Sequence, residues 1–296
     1  MITLSNRFFK VELHPDVGGS IGRLEFDGHD LLRPADSESI KNKRPLGMSC
    51  FPLVPFSNRV GGNGFQYRDR QITLQPNLAA DEYPIHGHGW LSTWDVLSSS
   101  PTAAKLIYLS DASEWPWAYE AVQAFELFDD SIRVSMKVRN LAPDTMPLGI
   151  GRHPYFPLNK GARLTFACQG VWECGEDLLP TRTIDVPEEW DFAHGKAVEN
   201  VSVDNCFFGW DGHASIYDPL TEVDVLIQAS ELFDHAVLYV PPADDYFCFE
   251  PASHMNNAFN HHEGAESPGF LELQPGQSTE GAMTISVRRA PHRSAS

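Results

Sequence analysis

Residues 131 to 139 alternate without a break, with Ile132, Val134, Met136 and Val138 on one side and Ser131, Arg133, Ser135, Lys137 and Arg139 on the other. That two-residue period belongs to a strand with one face buried. The run Tyr119 to Leu127 precedes it across Asp129-Asp130, so a hairpin turning at the two aspartates is expected. Similar units recur. Phe26-Asp27-Gly28-His29 and Tyr217-Asp218-Pro219-Leu220 each separate a pair of short apolar runs, and Met283, Ile285 and Val287 alternate with Thr284, Ser286 and Arg288. No window of about 12 residues holds a 3.6-residue apolar period. The 22 glycines and 22 prolines interrupt every candidate helix. An all-β chain follows: a large antiparallel sandwich or barrel, with very little helix and no βαβ rhythm.

A chain of 296 residues could hold one large β domain or two ordinary ones. With no linker and no internal repeat, residues 1–290 are expected to form one domain and 291–296 a frayed tail. Ala35 to Pro45, basic at Lys41, Lys43 and Arg44, and Gly175 to Lys196 read as solvated loops. Apolar residues at 42% and charged residues at 21%, with no apolar run of membrane-spanning length, exclude a membrane-embedded or disordered chain. The first residues lack the pattern of a secretory signal, which makes the cytoplasm the expected location. A net charge of −18 repels nucleic acid and anionic membrane surfaces, so neither is an expected partner. The five cysteines contain no C-x-x-C pair and suggest neither a zinc cage nor a disulfide framework. They read as reduced, mostly packed thiols.

Several segments carry more polar chemistry than turns require. His153 and Glu250 each stand directly before a proline, which pushes their backbones toward extended conformations and suggests that both leave the ends of strands. Such a histidine and glutamate could serve as an acid and base pair; X-Pro also merely punctuates loops, as at His14-Pro15. Asn58-Arg59 offers an amide beside a planar fork of donors, suited to a polyol or a carboxylate, or simply to tying down the glycines that follow. His86-Gly87-His88 would put two imidazoles on one strand face, a metal-ligand spacing that Glu82 or a later histidine would complete. Asp204-Asn205 precedes an apolar run. Trp90, Phe156, Trp210 and Phe259 could stack on a sugar or fill the core.

Taken in order, these segments resemble the aldose 1-epimerase (galactose mutarotase) family. The likeness runs from Gly18-Gly19 through Asn58-Arg59, Ile85-His86-Gly87, Gly151-Arg152-His153-Pro154-Tyr155-Phe156, Leu179-Pro180-Thr181, Asp191-Phe192 and Val203-Asp204 to Glu250-Pro251 and Ala258-Phe259-Asn260. The resemblance implies one β-supersandwich domain, interconversion of the α and β anomers of a free aldose, and no metal or cofactor. It makes His153 the acid for the ring oxygen and Glu250 the base for the anomeric hydroxyl, and it assigns sugar contacts to Asn58, Arg59, His86, Tyr155 and Asp204. A histidine titrating near neutrality and an ionised glutamate would suit those roles. The implied partner is a small monosaccharide, bound by a monomer or homodimer. Pro157, Arg152 and the run Ser253-His254-Met255-Asn256-Asn257 depart from the family's usual residues and leave the sugar open. The alternatives are a non-catalytic sugar-binding module of the same fold, a relative acting on a phosphorylated hexose, for which Arg59 and Arg152 are the candidate cations, and a metal-dependent isomerase built on the His-x-His pair.

Overall fold

The computed structural model describes residues 1–261 and 268–289; the tail expected to fray, 291–296, lies outside the described residues. Among the described residues two antiparallel sheets dominate, one of eleven strands and one of nine. Helix is confined, among the described residues, to Ser37–Lys41 and a few 3-10 turns. None of it is long and apolar enough to cross a membrane.

The smaller sheet follows the alternation closely. Tyr119–Leu127 pairs with Ser131–Asn140 in register from Tyr119–Asn140 to Leu127–Ile132, and Ser278–Arg289 covers the other side of Ser131–Asn140. Ile132, Val134, Met136 and Val138 are at most 1% exposed. They meet Phe156, Phe207, Phe247 and Phe249 of the larger sheet in one continuous core. Burying these two apolar faces against each other removes them from water and makes a sandwich.

The middle of the larger sheet is buried on both faces. Its central strands Cys50–Leu53, Gly151–Pro157, Tyr246–Ala252, His235–Val240 and Val203–Phe208 lie side by side in that order. The outer face carries two smaller apolar clusters, one around Phe51, Trp90 and Tyr155, the other around Trp172, Val237 and Met255. Strands covered on both sides need not alternate polar with apolar. Phe247-Cys248-Phe249 therefore reads as a continuous apolar run.

Three sequence expectations change here. The Ala35–Pro45 stretch holds the helix Ser37–Lys41, whose first turn is capped by the Asp36 carboxylate accepting from the Ser39 N–H at 2.7 Å. Five residues are too few to show a period. The Gly175–Lys196 stretch contains Pro180–Ile184, paired with Gly170–Cys174 on the edge of the larger sheet, where a leading proline loses no ladder bond. Most consequentially, His153 and Glu250 lie inside their strands, not at the ends. The partners Gly151–Ala252 and Tyr155–Cys248 place His153 directly across from Glu250, and paired Cα positions lapse between those two rungs. Pro154 and Pro251 thus remove ladder donors within one shared gap, while Gly151–Pro154 stays paired to Leu53–Cys50 and the Glu250 strand to His235–Tyr239. Two prolines in central strands are tolerated because each strand is held from its other side.

Candidate active site

The outer face of the larger sheet presents two ranks of side chains, because cross-strand partners share a face. Phe51, His153, Glu250 and Val237 form one rank; Tyr155, Cys248, Tyr239 and Asp204 form the next. Above them lies a cavity of about 310 Å³. His153, Glu250, Asn58, Arg59, His86, Tyr155 and Asp204 all line it, so the residues singled out in the sequence come together at one place. Tyr239, Tyr246, Asp81 and an apolar rim that includes Leu46 and Leu178 complete the lining.

His153 Nε2 stands 3.2 Å from Glu250 Oε1. The imidazole is gripped by rings, with Tyr155 stacked at 4.7 Å and Phe51 at 4.5 Å between centroids, and His86 edge-on at 5.2 Å. Nδ1 of His153 and Oε2 of Glu250 are buried without a side-chain partner. Burial pushes His153 down to about 3, its own backbone opposing and the nearby Arg33 cation adding to the fall. Burial, with Asp204 nearby, holds Glu250 well above the usual carboxylate range, although Arg59 pulls the other way. The expectation of a histidine near neutrality beside an ionised glutamate is therefore corrected. Burial favours the uncharged form of each.

The wall is built from two left-handed residues. Asn58 and His86 have φ of 58° and 60°, and they clip reciprocally: the Asn58 N–H donates to His86 Nδ1 and the His86 N–H to the Asn58 carbonyl, each at 3.0 Å. Accepting at Nδ1 fixes the neutral tautomer that carries its proton on Nε2. Burial, then the His153 and Arg59 charges, keeps His86 well below its ordinary value. Gly87, at φ 66°, continues the turn. Regular pleating is lost, so His86 enters this cavity while His88 lines another and pairs with Glu114 at 3.1 Å. The His-x-His pair does not share a face.

Arg59 donates from Nε to Asp81 Oδ2 at 2.9 Å, with Nη2 also 2.9 Å from that oxygen in the ion pair, and from Nη1 to Asn58 Oδ1 at 3.3 Å. Its charge is largely answered before any ligand arrives. Asp204 is pushed up by burial and by Asp81, with Arg59 opposing. Arg152 points away from the cavity: it donates to Gln123 Oε1 and, at 3.1 Å, to the Ser135 carbonyl of the facing sheet. The reading of Arg152 as a phosphate-binding cation fails for that reason, since its neighbour His153 takes the opposite face.

The run Ser253–Asn257 supports the wall from behind. His254 Nε2 accepts from the Ser57 N–H at 3.0 Å, Asn257 Oδ1 from the Gly61 N–H at 2.8 Å, and the Asn257 N–H donates to the Arg59 carbonyl at 2.7 Å. Trp90, Phe156, Trp210 and Phe259 are all core. The aromatic lining consists instead of Tyr155, Tyr239 and Tyr246. Tyr246 was within reach of the two-residue period, standing four before Glu250 on one strand. Asp81 carried no local signal, for only the fold brings it to Arg59.

A family model described as Aldose 1-epimerase matches residues 1–286. An uncharacterised protein of Escherichia coli K12, YphB, is 34% identical over 293 residues, covering 96% of this chain and 98% of its own. A crystal structure from Escherichia coli K12, provisionally assigned as an aldose 1-epimerase, superposes with a TM-score of 0.90 at 34% identity, over 98% of this chain and 99% of the other. A galactose mutarotase-like protein of Clostridium acetobutylicum shares the fold at a TM-score of 0.87 and 22% identity, over 97% and 95% of the two chains. The chain belongs to the aldose 1-epimerase family.

Proposed function

We propose that the protein interconverts the α and β anomers of a free, neutral aldose, with His153 and Glu250 as the proton-transfer pair. The observation that carries this reading is their 3.2 Å approach at the floor of a cavity that also gathers Asn58, Arg59, His86, Tyr155 and Asp204. Opening a cyclic hemiacetal needs one proton removed from the anomeric hydroxyl and one delivered to the ring oxygen. Glu250 takes the first as the bond from C1 to the ring oxygen breaks, and His153 gives the second. Rotation about C1–C2 exposes the other carbonyl face, and reclosure runs the two transfers backwards.

The proton count explains why both groups are buried. The pair carries one proton, which burial places on Glu250 in the empty site and which must sit on His153 when sugar is bound; opening then turns imidazolium and carboxylate into neutral imidazole and carboxylic acid. Burial favours that neutral arrangement, as the depressed His153 and raised Glu250 indicate. The pocket thereby stabilises the open-chain half of the cycle, while reclosure restores the charged pair. His86 offers a fixed N–H, Arg59 and Asn58 further donors, and Asp204 an acceptor, for the sugar hydroxyls.

A neutral substrate fits the charge balance. Arg59 is paired with Asp81, and Arg33 lies against the rings of Tyr155 and Tyr246, at 4.0 and 4.5 Å. The cavity also holds Asp81, Asp204 and Glu250, which weighs against a phosphorylated or acidic sugar. The test is NMR anomer exchange over a panel of neutral hexoses, pentoses and deoxyhexoses beside their phosphates. Acceleration of at least one neutral sugar and of no phosphate is expected. Failure on every free aldose would overturn the reading in favour of a binding module.

A further inference from the structure

Cys248 takes no role in the proton transfers, yet it stands two residues before Glu250 and so on the same face of the strand. Its Cα partners are Tyr155 on one side and Tyr239 on the other, which sets the thiol in the rank next to His153 and Glu250. One ligand atom from each of His153, Cys248 and Glu250 lies within 4.8 Å of the other two, a gathering found nowhere else among the described residues. All three residues are buried, at 6%, 0% and 2% exposure.

An imidazole nitrogen, a thiolate and a carboxylate oxygen form a donor set that Zn²⁺ accepts, and three protein ligands leave its fourth position open. Tetrahedral bonds of about 2.0–2.3 Å place ligand atoms roughly 3.3–3.6 Å apart. The 3.2 Å between His153 and Glu250 already matches, and with all three ligand atoms within 4.8 Å of one another, ion binding would draw the Cys248 sulfur in by about an ångström. His153 and Glu250 line the cavity, so an ion has an entry path and its open position faces the space meant for sugar. Charge favours the ion as well. A dication held by a thiolate, a carboxylate and a neutral imidazole leaves the buried site without net charge.

We propose that His153, Cys248 and Glu250 form a site for a thiophilic divalent cation such as Zn²⁺, whose occupancy stops anomer exchange. On binding, the sulfur–hydrogen bond of Cys248 breaks, a sulfur–metal bond forms, and the proton goes to solvent. The His153 lone pair and the Glu250 carboxylate are then both engaged by metal and can carry no proton. The inhibitory half rests on the acid/base reading of the pocket; the binding half does not.

Chelator-stripped full-length protein is titrated with Zn²⁺ by calorimetry and with Co²⁺ by absorption, which reports a thiolate ligand directly. One ion per chain and a thiolate-to-Co²⁺ band are expected. Cys248→Ser should abolish the band and weaken Zn²⁺ by about 100-fold or more, since a ligand counts for more than the outer-shell partners that cost 10- to 100-fold. Glu250→Gln should weaken binding but keep the band, and Cys174→Ser should change neither. Zn²⁺ should suppress exchange by the wild type reversibly, and the ratio of rates with and without Zn²⁺ should approach one in Cys248→Ser. No thiolate band, or Zn²⁺ binding indifferent to Cys248→Ser, would overturn the site. Binding through Cys248 with exchange unaffected would overturn the inhibition. Absence of exchange in metal-free wild type would instead strike the acid/base reading, with the binding result still deciding the site.

Discussion

Arg152 and His153 are neighbours on one strand, each nearly sealed from solvent, at 2% and 6% exposure. Both lose basicity to burial, Arg152 to about 10 and His153 to about 3. They differ in what surrounds them. The Arg152 guanidinium crosses to the facing sheet and donates to Gln123 and to the Ser135 carbonyl, while Gln123 donates onward to the Gly19 carbonyl at 3.2 Å. It remains a cation at neutral pH, held by neutral acceptors. His153 is clamped by rings, meets one carboxylate, and keeps a buried nitrogen with nothing but its own residue to engage. A buried polar group whose bonds are spent ties the fold together; one with capacity in reserve, facing a cavity, is placed to react.

That contrast is open to attack at several points. The largest expected effect lies on the outer face. His153→Gln and Glu250→Gln should each lower anomer-exchange kcat/KM by about 10²- to 10⁴-fold, with urea midpoints close to wild type. The inner face should answer in the opposite sense. Arg152→Ala strands Gln123 and opens a hole, so a loss of about 3 kcal/mol in urea unfolding is expected, with activity per folded molecule kept within several-fold. A large loss of activity at unchanged stability in Arg152→Ala would erase the distinction between the faces.

A smaller effect is expected at the Arg59–Asp81 pair. Asp81→Asn loosens the Arg59 fork without touching the proton pair, so KM should rise by about tenfold, the equivalent of about 1.4 kcal/mol, with kcat little changed. A fall in kcat alone would contradict a binding role for Arg59.

The pH dependence of stability is expected to be the most gradual signal. His86, His153 and His254 are all held neutral by burial, His254 at about 4. An unfolded chain takes up protons on these rings near pH 6.5, whereas the folded chain refuses them until far lower. Their stabilising contribution is therefore complete above pH 6.5 and is lost as pH falls toward 4, with a slope of up to about 1.4 kcal/mol per pH unit for each ring. Glu250 acts in the other direction: its contribution is present below its ordinary value and is lost as pH rises through its raised one. Urea midpoints from pH 7 down to 5 should fall less steeply in His254→Gln than in the wild type. Equal slopes would show that His254 is not held neutral.

How far the chain could be read without a structure depended on which face a residue serves. Ser131–Asn140 borders the core on one side, and its alternation revealed the strand, its hairpin and its buried residues. Tyr246–Ala252 is covered on both sides, so alternation was absent and the proline after Glu250 suggested a strand end in place of a strand interior. The proposed proton pair was legible as residue types in order, but its 3.2 Å approach is a property of register, and no spacing along the chain encodes it. His86 and His88 part company because two successive positive φ values break the pleat on which a shared face depends. Asp81 and Tyr239 stayed hidden because each reaches the cavity through a partner on a distant segment.

If the outer face of the larger sheet performs the proton chemistry and the inner face only supports it, anomer-exchange NMR must separate Glu250→Gln from Arg152→Ala once rates are normalised to folded protein. The expected result is rapid exchange of a neutral aldose by the wild type and by Arg152→Ala, with a loss of at least about 10²-fold in Glu250→Gln. Exchange that survives intact in Glu250→Gln would contradict that division of labour.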